Sequence, residues 1–588
     1  MGIRKHLFHT LCCFTTAALL AACARDDAPA GSVAQVPPED APGVADGERN
    51  DAQAVAPDLQ QLADAAARVI TPGYLRELTT ELSDDRYGGR APGTDGDRLA
   101  RAYLADALAG IGFAPGGDDG SYEQRFSLVG LRTHMPETWR FASRELALEL
   151  QRSTDFIVTS GEQSDAVSLQ DAELVFVGYG ITAPEFAWDD YKGMDLTGKV
   201  LVMLNNDPDW DDALFAGNTR LYYGRWSYKY EEAARQGAAG AIIIHTQPSA
   251  GYLWQVVQTS WGGEQFELPA VEGEPRLQAR GWLTEDAAAR LMEMAGYDLA
   301  QLVEQARSGD FTPVPLGLTT SIELAVDMQL TETANVIGVL PGSDPQLQEQ
   351  AVILTAHHDH LGMLDAADAI DGDTIYNGAL DNAAGVALML AVGRAYTELG
   401  LQPRRSLVIN FVGAEEQGLL GSLHYAQNPT FAVDRIAANV NVDGPGIWGE
   451  TRDLTYIGYG KSDLDAIVEE AAALQGRLVV PDQFPDRGSF YRSDQFSFAR
   501  VGIPSTYLDA GTDIIGQPAG WGEEQINRYT DLHYHQPSDE VTDDWNFDGV
   551  VQDAVLNLLV SWRIANNDAM PQWNPGDEFA GMRSASEP

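Results

Sequence analysis

At 588 residues the chain exceeds what one ordinary hydrophobic core organises, so two or more domains are expected, and 44% apolar residues supply their cores. A formal charge of −49 repels phosphate backbones and excludes a nucleic-acid partner. Cys12, Cys13 and Cys23 are the only cysteines, which excludes an intrachain disulfide of the mature form, a cysteine-rich zinc finger and a cysteine nucleophile in the folded region.

In chain order, Arg4 and Lys5 precede an apolar run from Leu11 to Ala22, which has the length of a signal h-region and is short for a membrane-spanning helix. It ends in Leu20-Ala21-Ala22-Cys23, a pattern similar to bacterial lipoprotein signals. That similarity implies removal of residues 1–22, lipidation of the Cys23 thiol and a membrane-anchored, exported protein; a plain cleaved signal or a membrane anchor are the other readings. Ala24, where an aspartate would retain a lipoprotein at the inner membrane, tilts the expectation toward the outer membrane. Residues 23–65 read as a flexible tether, rich in Ala, Pro, Gly, Asp and Glu.

Residues 66–135 carry helical spacing at Leu75, Leu78 and Leu82 and again at Leu99, Tyr103, Leu104 and Leu108, joined by Gly88-Gly89-Arg90-Ala91-Pro92-Gly93-Thr94. Residues 140–322 alternate strand-like runs (174–177, 200–204, 237–244) with turns and hold no catalytic constellation. From 326 to 570, apolar runs at 336–340, 352–354, 407–412 and 438–442 alternate with helical patterns at 383–399 and 462–474. The fold class expected is α/β: a mostly parallel mixed sheet with helices on both faces, plus an inserted β-rich domain. Residues 571–588 read as a C-terminal tail. Ligands in such sheets collect at the C-terminal ends of strands.

Metal-ligand residue types stand at those ends: His357-His358-Asp359-His360, Glu415-Glu416 and Asp443, with Asp381 opening a helix and His535 near the end of the chain. Singly, each has a plain structural explanation. Asp381 suits a helix cap, Asp443-Gly444-Pro445 a turn, and Glu415-Glu416 a solvated pair. Together, carboxylates and imidazoles at one sheet edge suit hydrolytic zinc with N and O ligands.

The set resembles the dinuclear zinc peptidase family that includes secreted bacterial leucyl aminopeptidases and glutamate carboxypeptidase. The likeness rests on 356–359, 378–382, 413–422, 442–443 and 535–539, with 88–94 and 493–504, and covers about 71–130 and 326–565. Val177-Gly178-Tyr179-Gly180 and Gly237-Ala238-Ala239-Gly240 are similar to the protease-associated domain often inserted in that zinc-dependent exopeptidase fold. The resemblance implies two Zn²⁺ per chain, Asp381 bridging them, His357 and Asp443 completing one site, and Glu416 and His535 the other. His358 and His360 are alternatives to His357, which is favoured by its pairing with Asp359 two positions on. Asp359 would accept a hydrogen bond from the His357 ring. Glu415 would act as general base toward a metal-activated water. Gly413 would let the chain leave its strand between these glutamates and the sheet.

The implied activity is an aminopeptidase acting on peptides. A glutamate-type carboxypeptidase, for which Arg487 and Arg492 offer cations, a glutaminyl cyclase and a non-catalytic binding protein on the same scaffold are the alternatives. Substrate-binding residues and oligomeric state are left unassigned by the sequence.

Overall fold

The computed structural model describes residues 58–585, apart from 212, 213, 368 and 371. The signal segment, Cys23 and most of the tether lie outside the described residues.

Residues 59–65 are not tether. They begin the helix Leu59–Val69, whose Leu62, Ala63 and Ala66 are buried because they recur at helical spacing and pack on the helix Asp548–Asn566. Asp58 starts it by accepting the amide of Gln60 at 3.0 Å. Residues 571–585 of the expected C-terminal tail are also part of the fold. Trp573 and Phe579 are buried against Phe490 and Phe496, and Lys461 pairs with Asp577 and Glu578, each at 2.9 Å.

The strand Ala351–His357 lies between Ser406–Val412 and Ile436–Asn441, parallel to both. Ser505–Asp509 continues the parallel run beside Ile436–Asn441. Antiparallel strands flank it: Val314–Leu340 beyond Ser406–Val412, and Asp453–Ile457 beyond Ser505–Asp509. The central strands are buried along their whole length, which is why they read as unbroken apolar runs. Helices Pro72–Leu82, Ala384–Glu398 and Asp548–Asn566 cover one face of this sheet. On the other, Tyr425 and Phe498 from Leu420–Gln427 and Gln495–Arg500 pack on Ile337, Ile353 and Val408.

In the middle of the chain, Phe156–Ser160, Ala279–Thr284, Gly240–His245, Val200–Leu204 and Ala166–Phe176 pair in that order. They carry apolar clusters separate from those of the central strands. The expected boundary at 322–326 falls inside one continuous strand. Val314–Leu340 pairs with Ala166–Phe176 through its first half and with Ser406–Val412 through its second. Glu123–His134 runs antiparallel to it across the join, so two paired strands connect the inserted part to the α/β part.

Candidate metal centre

Register explains why distant residues meet. His357 ends its strand opposite Val412, and Thr355 stands opposite Asn441. The chain segments that follow these strands, with Glu415, Glu416 and Asp443, therefore emerge at one edge. Asp381 and His535 arrive from other directions, Asp381 ahead of the helix Ala384–Glu398 and His535 after the helix Trp521–Leu532.

Asp381 faces both ways. Its Oδ1 lies 3.1 Å from His357 Nε2 and its Oδ2 3.2 Å from His535 Nε2. His357 Nε2 is also 3.3 Å from Asp443 Oδ1, and His535 Nε2 is 3.2 Å from Glu416 Oε2. His357, Asp381 and Glu416 each place a donor atom within 4.8 Å of the others. Two half-sites share one carboxylate. Donors about 2.0–2.2 Å from a tetrahedral zinc stand about 3.3 Å from each other. The observed spacings are those edges, and His535 Nε2 is buried with no well-formed hydrogen bond. The donor set fits zinc.

Charge tells the same story. Burial disfavours a charged His357, yet Glu415, Asp443 and Asp381 hold its pKa well above the ordinary histidine range. Burial opposes charge on His535 too, and Glu416 and Asp381 push it up to about 10. Burial raises Glu416, but coupling to His360 and His535 outweighs it and takes the carboxyl down to about 2. Two imidazoles shifted toward the charged form by surrounding carboxylates mark a place that favours positive charge.

Of the three neighbouring histidines, only His357 faces Asp381 and Asp443. His358 is turned away, its Nε2 3.4 Å from the buried Asp97. His360 Nδ1 donates to Glu416 Oε1 at 2.6 Å, leaving Oε2 for the His535 side. His360 thus orients one of the expected ligands.

Asp359 differs from expectation. The His357 ring donates through Nδ1 to the main-chain carbonyl of Asp359 at 3.2 Å, while the Asp359 carboxylate is 3.9 Å away. That carboxylate instead accepts the amides of Glu415 at 3.0 Å and Glu416 at 3.3 Å. It fixes the turn that carries both glutamates. The turn itself is made by Ala414, at φ 58°, and not by Gly413. Gly413 is needed for space, since a Cβ there would lie 3.1 Å from both the Ala334 carbonyl and His358 Cε1.

Asp381 does not cap the helix after it. Asn382 does, accepting the Gly385 amide at 3.0 Å while its Nδ2 donates to the Val442 carbonyl at 2.9 Å. Other positioning residues lie in stretches that carry the resemblance, 88–94, 493–504 and 535–539, but were given no role there. Asp539 accepts the amides of Leu380 and Asp381, each at 3.1 Å. Ser493 donates to Asp443 Oδ2 at 2.8 Å. Arg90, 1% exposed, donates to the carbonyls of His358, Leu82, Asn377 and Gly378 at 2.6–3.0 Å. Its position inside a glycine-rich connection was the available signal. A guanidinium with five donors suits such a junction of loops.

Asp381, Glu415 and Asp443 open onto a cavity of about 280 Å³ whose other walls include Trp448, Arg492 and Tyr534. Burial raises the Glu415 carboxyl well above its usual range, and Glu416 and Asp443 add to the rise. Arg487 is not in this lining; its guanidinium lies over the Phe484 ring, 4.0 Å from the centroid.

A mostly parallel α/β sheet with a carboxylate–imidazole cluster at its strand ends is an arrangement suited to holding a metal. Residues 335–559 match the model described as "Peptidase family M28". A curated relative, leupeptin-inactivating enzyme 1 of Streptomyces exfoliatus, is 28% identical over 283 residues, 46% of this chain. The chain spans 57% of that relative's length. Among solved structures, an aminopeptidase from Aneurinibacillus sp. strain AM-1 aligns over 86% of this chain and 97% of its own, with a TM-score of 0.48 and 19% identity. A zinc aminopeptidase from Bacillus subtilis aligns over 85% and 96%, with a TM-score of 0.40 and 17% identity.

Proposed function

We propose that the chain is a zinc-dependent exopeptidase, an aminopeptidase that removes N-terminal residues from peptides and holds two Zn²⁺. The observation that carries this reading is Asp381, with one carboxylate oxygen 3.1 Å from His357 and the other 3.2 Å from His535. His357, Asp381 and Asp443 would hold one ion, and His535, Asp381 and Glu416 the other. When bound, such a pair supplies a water of lowered pKa and polarises the scissile carbonyl.

The chain's own residues do the rest. Glu415 is beside a ligand, and burial holds its carboxyl well above the usual glutamate range, the direction that suits a group that takes up and returns a proton. It takes the proton of the attacking water and returns it to the departing amine. Asp359 holds the Glu415 and Glu416 amides, so base and ligand keep a fixed offset. Ser493 fixes one oxygen of Asp443 and leaves the other toward His357.

The inserted part, 140–322, is read as a protease-associated domain, supported by its own apolar clusters. Export, with a lipid on Cys23, is part of the same reading and is supported by the sequence around that residue.

The test is hydrolysis of short peptides by the zinc-loaded protein, with and without chelator, with products identified by mass. Release of the N-terminal residue, abolished by chelator and restored by zinc, is expected. Release of C-terminal residues alone would replace this reading with the carboxypeptidase one, for which Arg492 in the cavity is the supporting feature.

A further inference from the structure

Asp509 closes the strand Ser505–Asp509, next to the strand that leads to Asp443. Asn441 is in register with Tyr507, so Asp443 and Asp509 are each two residues past matching positions. Adjacent strands lie about 4.8 Å apart, and equivalent positions point to the same face. The Tyr507 hydroxyl donates to the Asp443 carbonyl at 3.1 Å and ties the two strand ends together. Asp509 lines the same cavity as Asp381, Glu415 and Asp443.

Among the described residues, no cationic side chain neutralises it. Asp509 Oδ1 accepts the amide of the next residue, Ala510, at 2.7 Å, and no described Lys, Arg or His pairs with the carboxylate. Arg492 lines the same cavity and forms no ion pair with it. The proposed metal ligation and base chemistry give Asp381, Asp443 and Glu415 their tasks, and leave Asp509 without one. Burial, with Asp443 nearby, raises the Asp509 carboxyl to about 7, so its charge is relieved either by a proton or by a cation that arrives with the ligand.

The remaining walls say which cation. Trp448, Ile526, Tyr529 and Tyr534 give the cavity apolar and aromatic sides. A bare α-ammonium has no stem to lay along them. A lysine or arginine side chain has: its methylenes pack on Ile526 and the rings, and its charged end meets ring faces and a carboxylate. We infer that Asp509 determines specificity in the cleft, selecting peptides whose terminal residue carries a cationic side chain. This inference rests on the exopeptidase reading for its place in a reaction, though not for the binding event itself.

The experiment titrates free L-arginine and L-norleucine into the zinc-loaded protein by calorimetry, with the wild type and Asp509→Asn. Asparagine keeps the shape and the acceptor for Ala510 but removes the charge. Arginine is expected to bind at least about tenfold more tightly than norleucine in the wild type, with that preference lost in the variant. Equal binding by the wild type, or a preference that survives in Asp509→Asn, would overturn the inference. An equal weakening of both amino acids would overturn it too, because it would place the α-ammonium on Asp509. Arginine and leucine anilides are assayed in parallel. If neither is hydrolysed while the calorimetric preference stands, the aminopeptidase reading fails and the cation subsite remains. If leucine anilide is hydrolysed and the preference is absent, the subsite fails alone.

Discussion

The carboxylate of Asp539 accepts the main-chain amide of Asp381 at 3.1 Å. The residue that faces both histidines is therefore held by its backbone, and both of its side-chain oxygens stay available. Tyr529 donates to the same Asp539 oxygen at 3.1 Å and fixes it in turn.

Asp539→Asn should weaken zinc binding without unfolding the protein. An amide placed there turns an –NH₂ toward a backbone N–H or the Tyr529 hydroxyl, so the 380–381 segment loses an acceptor. Loss of such outer partners typically lowers metal affinity about 10–100-fold. Zinc content after dialysis against a competing chelator measures it. Wild-type retention of metal would mean that Asp539 is not a support of the centre.

Glu415→Gln should separate binding from chemistry. Glutamine keeps the Asp359-to-amide clamp, which uses the backbone, and keeps the volume of the side chain. Metal content is expected to match the wild type, while kcat falls by about 10²–10⁴-fold, the usual worth of general acid–base catalysis. Wild-type turnover in this variant would remove Glu415 from the proton-transfer role.

The strand ends were legible because strands buried on both faces are continuous apolar runs, and polar ligand types break them abruptly at His357, Glu415 and Asp443. The long strand Val314–Leu340 was legible only from Val336 onward. Its earlier part alternates buried and exposed positions and belongs to two packing environments. The second partners were not legible. That Asp359 grips amides 56 and 57 residues later, and that His360 rather than Asp359 holds a ligand side chain, depends on how loops fold back over the sheet edge. Sequence spacing fixes which residues follow a strand but not where the next turn aims them. Ala414 makes the point: the left-handed turn falls on an alanine beside a glycine.

Zinc uptake should release protons. His535 is raised to about 10 and so carries a proton in the metal-free protein at pH 7.5, and the His357 pKa is shifted in the same direction. A metal takes neutral imidazole, so binding must displace the proton, and apparent affinity should rise with pH up to about 10. Calorimetric zinc titrations in buffers of different ionisation enthalpy count the protons, and at least about one per fully loaded chain is expected. A count of zero would show that the histidines are not the ligands.

Asp465 gives a pH-dependent contribution to stability away from the centre. Burial pushes its carboxyl up to about 6, with Glu469 and Asp463 nearby adding to the rise against the Gly460 amide that it accepts at 2.9 Å. A raised acid pKa means that the folded state holds the proton more tightly than the unfolded chain. Stability from this group is therefore present below about pH 4 and is lost as pH rises through 6. Asp465→Asn removes the ionisation and keeps an acceptor for Gly460. The side chain is half exposed to solvent, so screening reduces the gain to about 1 kcal/mol or less at pH 8. Thermal unfolding should shift upward by about 1–2 °C at pH 8 and not at pH 4. A shift of equal size at both pH values would assign the effect to packing and not to charge.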